Sequence, residues 1–144
     1  GLGDGSFEAV RADRSGIVAP GDAKGVALAD INDDQWPDLL VANNNSAMQV
    51  FESVPPVGVK SLRVELDASS VLTTGAFMKV ELKSGKILIR EVASGGSYLS
   101  QSSSVPHFAI PVGDAAKSVF VRWSDGETTS KVVDADLMKI LRNR

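Results

Sequence analysis

An all-β fold is what this 144-residue sequence predicts, and three observations carry the prediction. Short runs rich in Val, Leu and Ile alternate apolar and polar residues with a period of two. Gly, Pro, Asn and Ser cluster between those runs as turn formers. Windows of helical length with an apolar stripe are scarce. A hydrophobic content of 43% is ordinary for a packed globular protein and argues against disorder. The pattern divides at Val54-Pro55-Pro56-Val57-Gly58, because paired prolines cannot continue a ladder and favour a stiff extended linker. Two units are therefore expected, residues 1–58 and 59–144.

Taken in order, Gly1 to Gly5 reads as a glycine-dense turn and Phe7-Glu8-Ala9-Val10 as a strand. The glycine spacing is not a dinucleotide fingerprint, since no strand precedes it and no helix follows. Arg11 to Lys24 is a polar connector with a turn at Pro20-Gly21-Asp22. Strands are expected at Gly25 to Ala29, at Leu39 to Ala42 and, beyond the turn-rich Asn43 to Ser46, at Ala47 to Glu52. An apolar face around Val26, Leu28, Leu40, Val50 and Phe51 then needs a cover. Intramolecular packing of the second unit over it is the first expectation, and a weak homodimer is the alternative.

In the second unit, Leu62, Val64 and Leu66 alternate with Arg63, Glu65 and Asp67, the pattern of a half-buried strand. Ala76, Met78, Val80 and Leu82 repeat it, and Ser84-Gly85-Lys86 turns the chain into Ile87 to Val92 as a hairpin. The loop Ser94 to Ser102 follows, then Val105 to Ile110, with His107-Phe108 lying between strands. Val119, Val121 and Trp123 alternate again, and the turn Ser124 to Glu127 leads into a strand from Thr128 to Val133. Together these predict a compact antiparallel sandwich or barrel. Ala135 to Leu141 reads equally as a last strand or a short helical turn. Gly95 and Gly96 are expected to supply positive φ, and Tyr98 to bury its ring.

The most informative stretch is Asp30-Ile31-Asn32-Asp33-Asp34-Gln35-Trp36-Pro37-Asp38. A loop reaching round a cation directs alternate residues inward, so Asp30, Asn32, Asp34 and Asp38 would face a metal and Asp33 water. Trp36 would offer its backbone carbonyl. Hard oxygens at this spacing suit Ca²⁺, which takes about six to eight of them. Three carboxylates held this close without a cation would repel one another. An EF-hand fails because Val41 stands where a bidentate Glu is required.

These residues, from Ala29 to Asn43, resemble an FG-GAP (VCBS-type) repeat, the calcium-binding unit of integrin-like β-propellers. The resemblance implies a partial propeller blade in residues 1–58, with Asp30, Asn32, Asp34 and Asp38 as metal ligands. Gln35 departs from it, since the family has Gly there. Gly75-Ala76, Gly95 to Ser102, His107-Phe108 and Val119-x-Val121-x-Trp123-x-Asp125-Gly126 resemble the ASPIC/UnbV domain, which follows such repeats in cartilage acidic protein and bacterial secreted proteins. A second departure is Ala109-Ile110-Pro111-Val112-Gly113 where that family has Gly-Leu-Gly after His-Phe. The chain, starting at Gly1, then reads as a piece of a longer protein.

No cysteine is present, so disulfides, thiol catalysis and thiolate zinc sites are excluded. No run approaches the length of a membrane helix, and membrane insertion is not expected. The first 58 residues carry nine acidic and three basic side chains and the remainder nine and twelve, a split the acidic loop accounts for. Arg63, Lys79, Lys83, Lys86 and Arg90 lack interleaved aromatics, so no nucleic-acid partner is expected. His107 is the sole histidine, and Gly95-Gly96-Ser97 lacks the second Gly of a nucleophile elbow. The sequence reads as a non-enzymatic, Ca²⁺-binding recognition module, extracellular or periplasmic, with a protein or glycan ligand. Ser97, Tyr98, Gln101 and His107 form the candidate ligand loop. A hydrolase or accessory enzyme using His107 and the Ser/Tyr loop is the rival reading, and a purely structural connector is the third.

Overall fold

A computed structural model describes residues 5–142, in ten strands and two short helices. The chain runs α1 (Ala12–Ser15), β1 (Ala23–Ala29), β2 (Asp38–Asn43), β3 (Gln49–Phe51), β4 (Lys60–Asp67) and α2 (Ser70–Thr73). It continues β5 (Phe77–Leu82), β6 (Ile87–Glu91), β7 (His107–Ile110), β8 (Ala116–Arg122), β9 (Thr128–Val132) and β10 (Leu137–Leu141). The all-β prediction holds. Of the turn expected from Gly1 to Gly5, all but Gly5 lies outside the described residues.

Three sheets form: β1-β2-β3, β10-β4-β7 and β6-β5-β8-β9. The second and third pack face to face. Leu62, Val64, Phe108, Ile110 and Ile140 from one meet Met78, Val80, Leu82, Val119 and Val121 from the other in a single core, capped by Trp123. The period-two pattern dictates this, because each strand contributes alternate side chains to the inner face. The arrangement is a sandwich and not a closed barrel. The β5–β6 hairpin turns through Gly85, whose φ of 87° suits a residue without Cβ.

Three expectations are corrected. Phe7 to Val10 forms no strand: Phe7 is 86% exposed, and no described strand offers its backbone a ladder. The following connector makes the single turn of α1, closed by Gly16 in the left-handed conformation. The second unit is not wholly antiparallel, because Leu137 to Leu141 is a strand lying parallel to β4 from Arg63 to Asp67. The predicted apolar face of the first hairpin is two faces. Val26 pairs with Val41 and Leu28 with Leu39, whereas Leu40 pairs with Val50 one residue out of phase, so pleating sends Leu40 and Val50 to the opposite side. Neither side is fully covered, and Val26, Leu28 and Val50 stay exposed.

Within the core, the indole N–H of Trp123 donates to the hydroxyl of Thr129 at 2.9 Å, and both residues are buried. Thr129→Val keeps the shape but leaves that N–H without an acceptor. The expected cost is about 1–3 kcal/mol, read as a lower urea midpoint with an unchanged slope.

Candidate functional site

The β1–β2–β3 hairpin is short of a core of its own. Val41 is its only fully buried large apolar residue among those described, and it lies outside the main cluster. What fixes the hairpin is polar. Ser100 accepts the Val26 N–H at 3.1 Å and donates to the Val26 carbonyl at 2.7 Å. Two residues on, Ser102 accepts the Leu28 N–H at 3.0 Å, and the Ser103 N–H reaches the Leu28 carbonyl at 2.7 Å. Serines spaced by two thus act as a surrogate strand along the open edge of β1, satisfying backbone groups that an unpaired edge would leave bare.

A second attachment sits at the acidic loop. The Gln35 carbonyl accepts from the Ser61 hydroxyl at 2.6 Å and from Nδ1 of His107 at 3.0 Å. A carbonyl only accepts, so Nδ1 carries the proton in this bond. Arg63, paired across the ladder with His107, places its guanidinium 3.5 Å from a buried Asp30 oxygen. The loop is therefore held by three neighbouring side chains of β4 and β7.

The loop folds on its own carboxylates. Asp30 accepts the N–H groups of Asp34 at 3.2 Å and Gln35 at 3.0 Å, and Asn32 Oδ1 also lies 3.2 Å from the Asp34 N–H. Asp34 accepts from Trp36 at 2.8 Å. Asp38 is fully buried and accepts from Ile31 at 3.1 Å and Ser53 at 2.8 Å. Asp33 points to water, with its side chain 95% exposed. Gln35 takes φ of 71°, so the left-handed turn that a glycine would serve forms without one. For calcium the donors are right in kind, all oxygen and all on one loop. Their arrangement is another matter, since no three His, Asp or Glu side chains gather into a metal cluster among the described residues. In this conformation N–H groups and Arg63 balance the carboxylates.

Three of the four candidate ligand-loop residues share one cleft. Its volume is about 410 Å³, and Ser97, Gln101 and His107 line it with Leu28 and Pro37 of the hairpin and Arg90 at the end of β6. Tyr98 does not line it. The expectation that its ring is buried is corrected: Ser97 and Ser100 close a tight turn that displays Tyr98 and Leu99, 75% and 77% exposed. Of the two glycines only Gly95 has positive φ, at 70°, and Leu99, with φ of 52°, takes the second left-handed position. Arg90 and the edge-binding role of Ser100 and Ser102 were missed in the sequence. The spacing of the serines by two, the strand period, was the available signal.

Two measurements check this geometry. Ser100→Ala with Ser102→Ala should raise amide exchange at Val26 and Leu28 by about tenfold or more while β5 and β8 stay protected. Gly95→Val should cost about 1–2 kcal/mol because of its left-handed backbone. Gly96→Val should cost little, since a Cβ there meets only that of Ala93, at 3.9 Å.

No curated protein matches the chain. The family described as ASPIC and UnbV matches residues 67–139, which include the glycine-serine turn, the His107-Phe108 strand and the Val119 to Gly126 hairpin arm. That span is half of the sequence and contains most of the sandwich core together with the serines that hold β1, so the chain belongs to the ASPIC and UnbV family.

Proposed function

We propose that this chain is a non-catalytic recognition module of the extracellular space or periplasm. In it an FG-GAP-like unit, residues 1–58, is docked on an ASPIC/UnbV unit, residues 59–144, and the cleft between them takes a protein or glycan ligand. The observation that carries the reading is the cleft itself. Its volume falls in the range of ligand sites, and it mixes apolar walls with the uncommitted polar groups of Ser97 and Gln101. His107 supports a binding role over a catalytic one. Its Nδ1 is committed to a main-chain carbonyl, and no serine hydroxyl among the described residues bonds to its ring. A general base needs its nucleophile within hydrogen-bond reach.

Calcium belongs to the same proposal. Asp30, Asn32, Asp34, Asp38 and the Trp36 carbonyl would hold it, and it would supply positive charge to a loop whose carboxylates now rely on N–H groups and Arg63. The left-handed turn at Gln35, which closes the loop as a glycine would, supports this assignment. Calcium is abundant outside cells, which favours the extracellular placement.

Calorimetry tests the metal. A Ca²⁺ level about 100-fold above Kd should stabilise the fold by about 2.7 kcal/mol, and chelation should remove the gain. Asp34→Ala should abolish the shift and Asp33→Ala should keep most of it. Identical melting with Ca²⁺ and with chelator defeats the calcium assignment. Recognition is tested separately, by probing the full chain against glycan and peptide arrays. Retention that His107→Ala or Gln101→Ala weakens supports the cleft, and retention by neither array contradicts it.

A further inference from the structure

The cleft has an unpaired strand edge as one wall. β6 is the outermost strand of its sheet. At one end of the β5–β6 hairpin the Leu82 N–H bonds the Lys86 carbonyl, and at the other the Val92 N–H bonds the Ala76 carbonyl, both at 2.9 Å. Antiparallel pairing alternates, so the even-numbered residues of β6 face β5. Ile87, Ile89 and Glu91 therefore turn their N–H and C=O groups to the open edge. The Ile89 carbonyl is already taken by the guanidinium of Arg90 at 2.9 Å. This guards the middle of the strand against pairing with another strand along its whole length. What remains open is the end of the edge at Glu91, where the chain runs through Ala93 to Gly95 and Gly96 and lines the cleft.

The glycines leave that end bare. A Cβ built on Gly95 meets nothing within 4 Å, and one on Gly96 meets only Ala93. A ligand's main chain can thus approach the backbone closely, as a short added strand does. The same wall carries Arg90, whose fork of donors suits a carboxylate.

We propose that the cleft binds the free C-terminal end of an extended peptide. Its last residues add to the open end of β6 at Glu91, and its carboxylate sits by Arg90 and the Gly95-Gly96 backbone. This rests on the reading of the cleft as the recognition site and names its ligand class. The Glu91 side chain lies on the opposite face of β6 from Arg90, because successive residues of a strand alternate, so only its main chain is offered to the ligand.

The test uses the full chain and a random-sequence hexapeptide pool made twice, once with free C-terminal carboxylates and once amidated. Free-acid peptides selected from the pool should bind about tenfold more tightly than their amidated counterparts. Arg90→Gln should remove most of that preference. Gly96→Val, which the fold accommodates, should weaken both forms by covering the backbone. Amide resonances of Glu91, Ala93 and Gly96 should shift on peptide addition, which reports the site without any substitution. Equal binding of the acid and amide pools overturns the proposal, as does binding that leaves those three amides unmoved. Glycan binding without peptide binding overturns this ligand class and keeps the recognition reading. Binding of neither overturns both.

Discussion

Hydrogen bonds to the main chain of the first hairpin decide how this molecule holds together. The sandwich of residues from Leu62 to Ile140 has an apolar core and needs no such help. The three-stranded β1-β2-β3 sheet lacks one, and a small sheet without a packed apolar face is marginal in water. Ser100 and Ser102 occupy its open edge, while Ser61 and His107 converge on one carbonyl at the tip of its loop. Because these contacts read backbone and not side chains, the exposed faces of the hairpin are free to vary without loss of docking.

The charge arrangement depends on the same docking. Asp30 and Asp38 are nearly or fully buried, and burial of a carboxylate is costly unless it is paired or bonded. N–H groups of the loop do most of this work, and Arg63 adds a cation only because β4 lies beneath the loop. Losing the attachment would expose the loop's carboxylates to mutual repulsion at the point where β1 turns into β2. The clamp therefore has an electrostatic consequence beyond the bonds it makes.

Where a strand packs against a neighbour, its pattern was legible in the sequence. Ala76, Met78, Val80 and Leu82 alternate and are all buried, as are Val119, Val121 and Trp123. Phe7 to Val10 shows that apolar spacing without a partner strand does not suffice. The apolar face expected of the first sheet joins Val50 and Phe51, which as neighbours on one strand point to opposite sides, and the side on which Leu40 falls depends on a pairing register that the sequence alone does not report. The parallel course of β10 is a long-range outcome with no local signal. In the loops, Tyr98 looked like core because it is aromatic, yet the tight turn between Ser97 and Ser100 pushes it outward. Of the candidate residues, Ser97, Gln101 and His107 do come together. In the acidic loop the carboxylates turn to N–H groups, partners that the sequence alone does not place.

The dependence of the hairpin on the sandwich is tested most directly by following backbone amide resonances through a urea titration of the full chain. Native signals of Val26 and Leu28 in β1 are compared with those of Val80 and Val119 in the core. The β1 signals are expected to vanish before the core signals or together with them. Survival of native β1 signals after the core has unfolded would show a hairpin stable on its own, and would contradict that dependence.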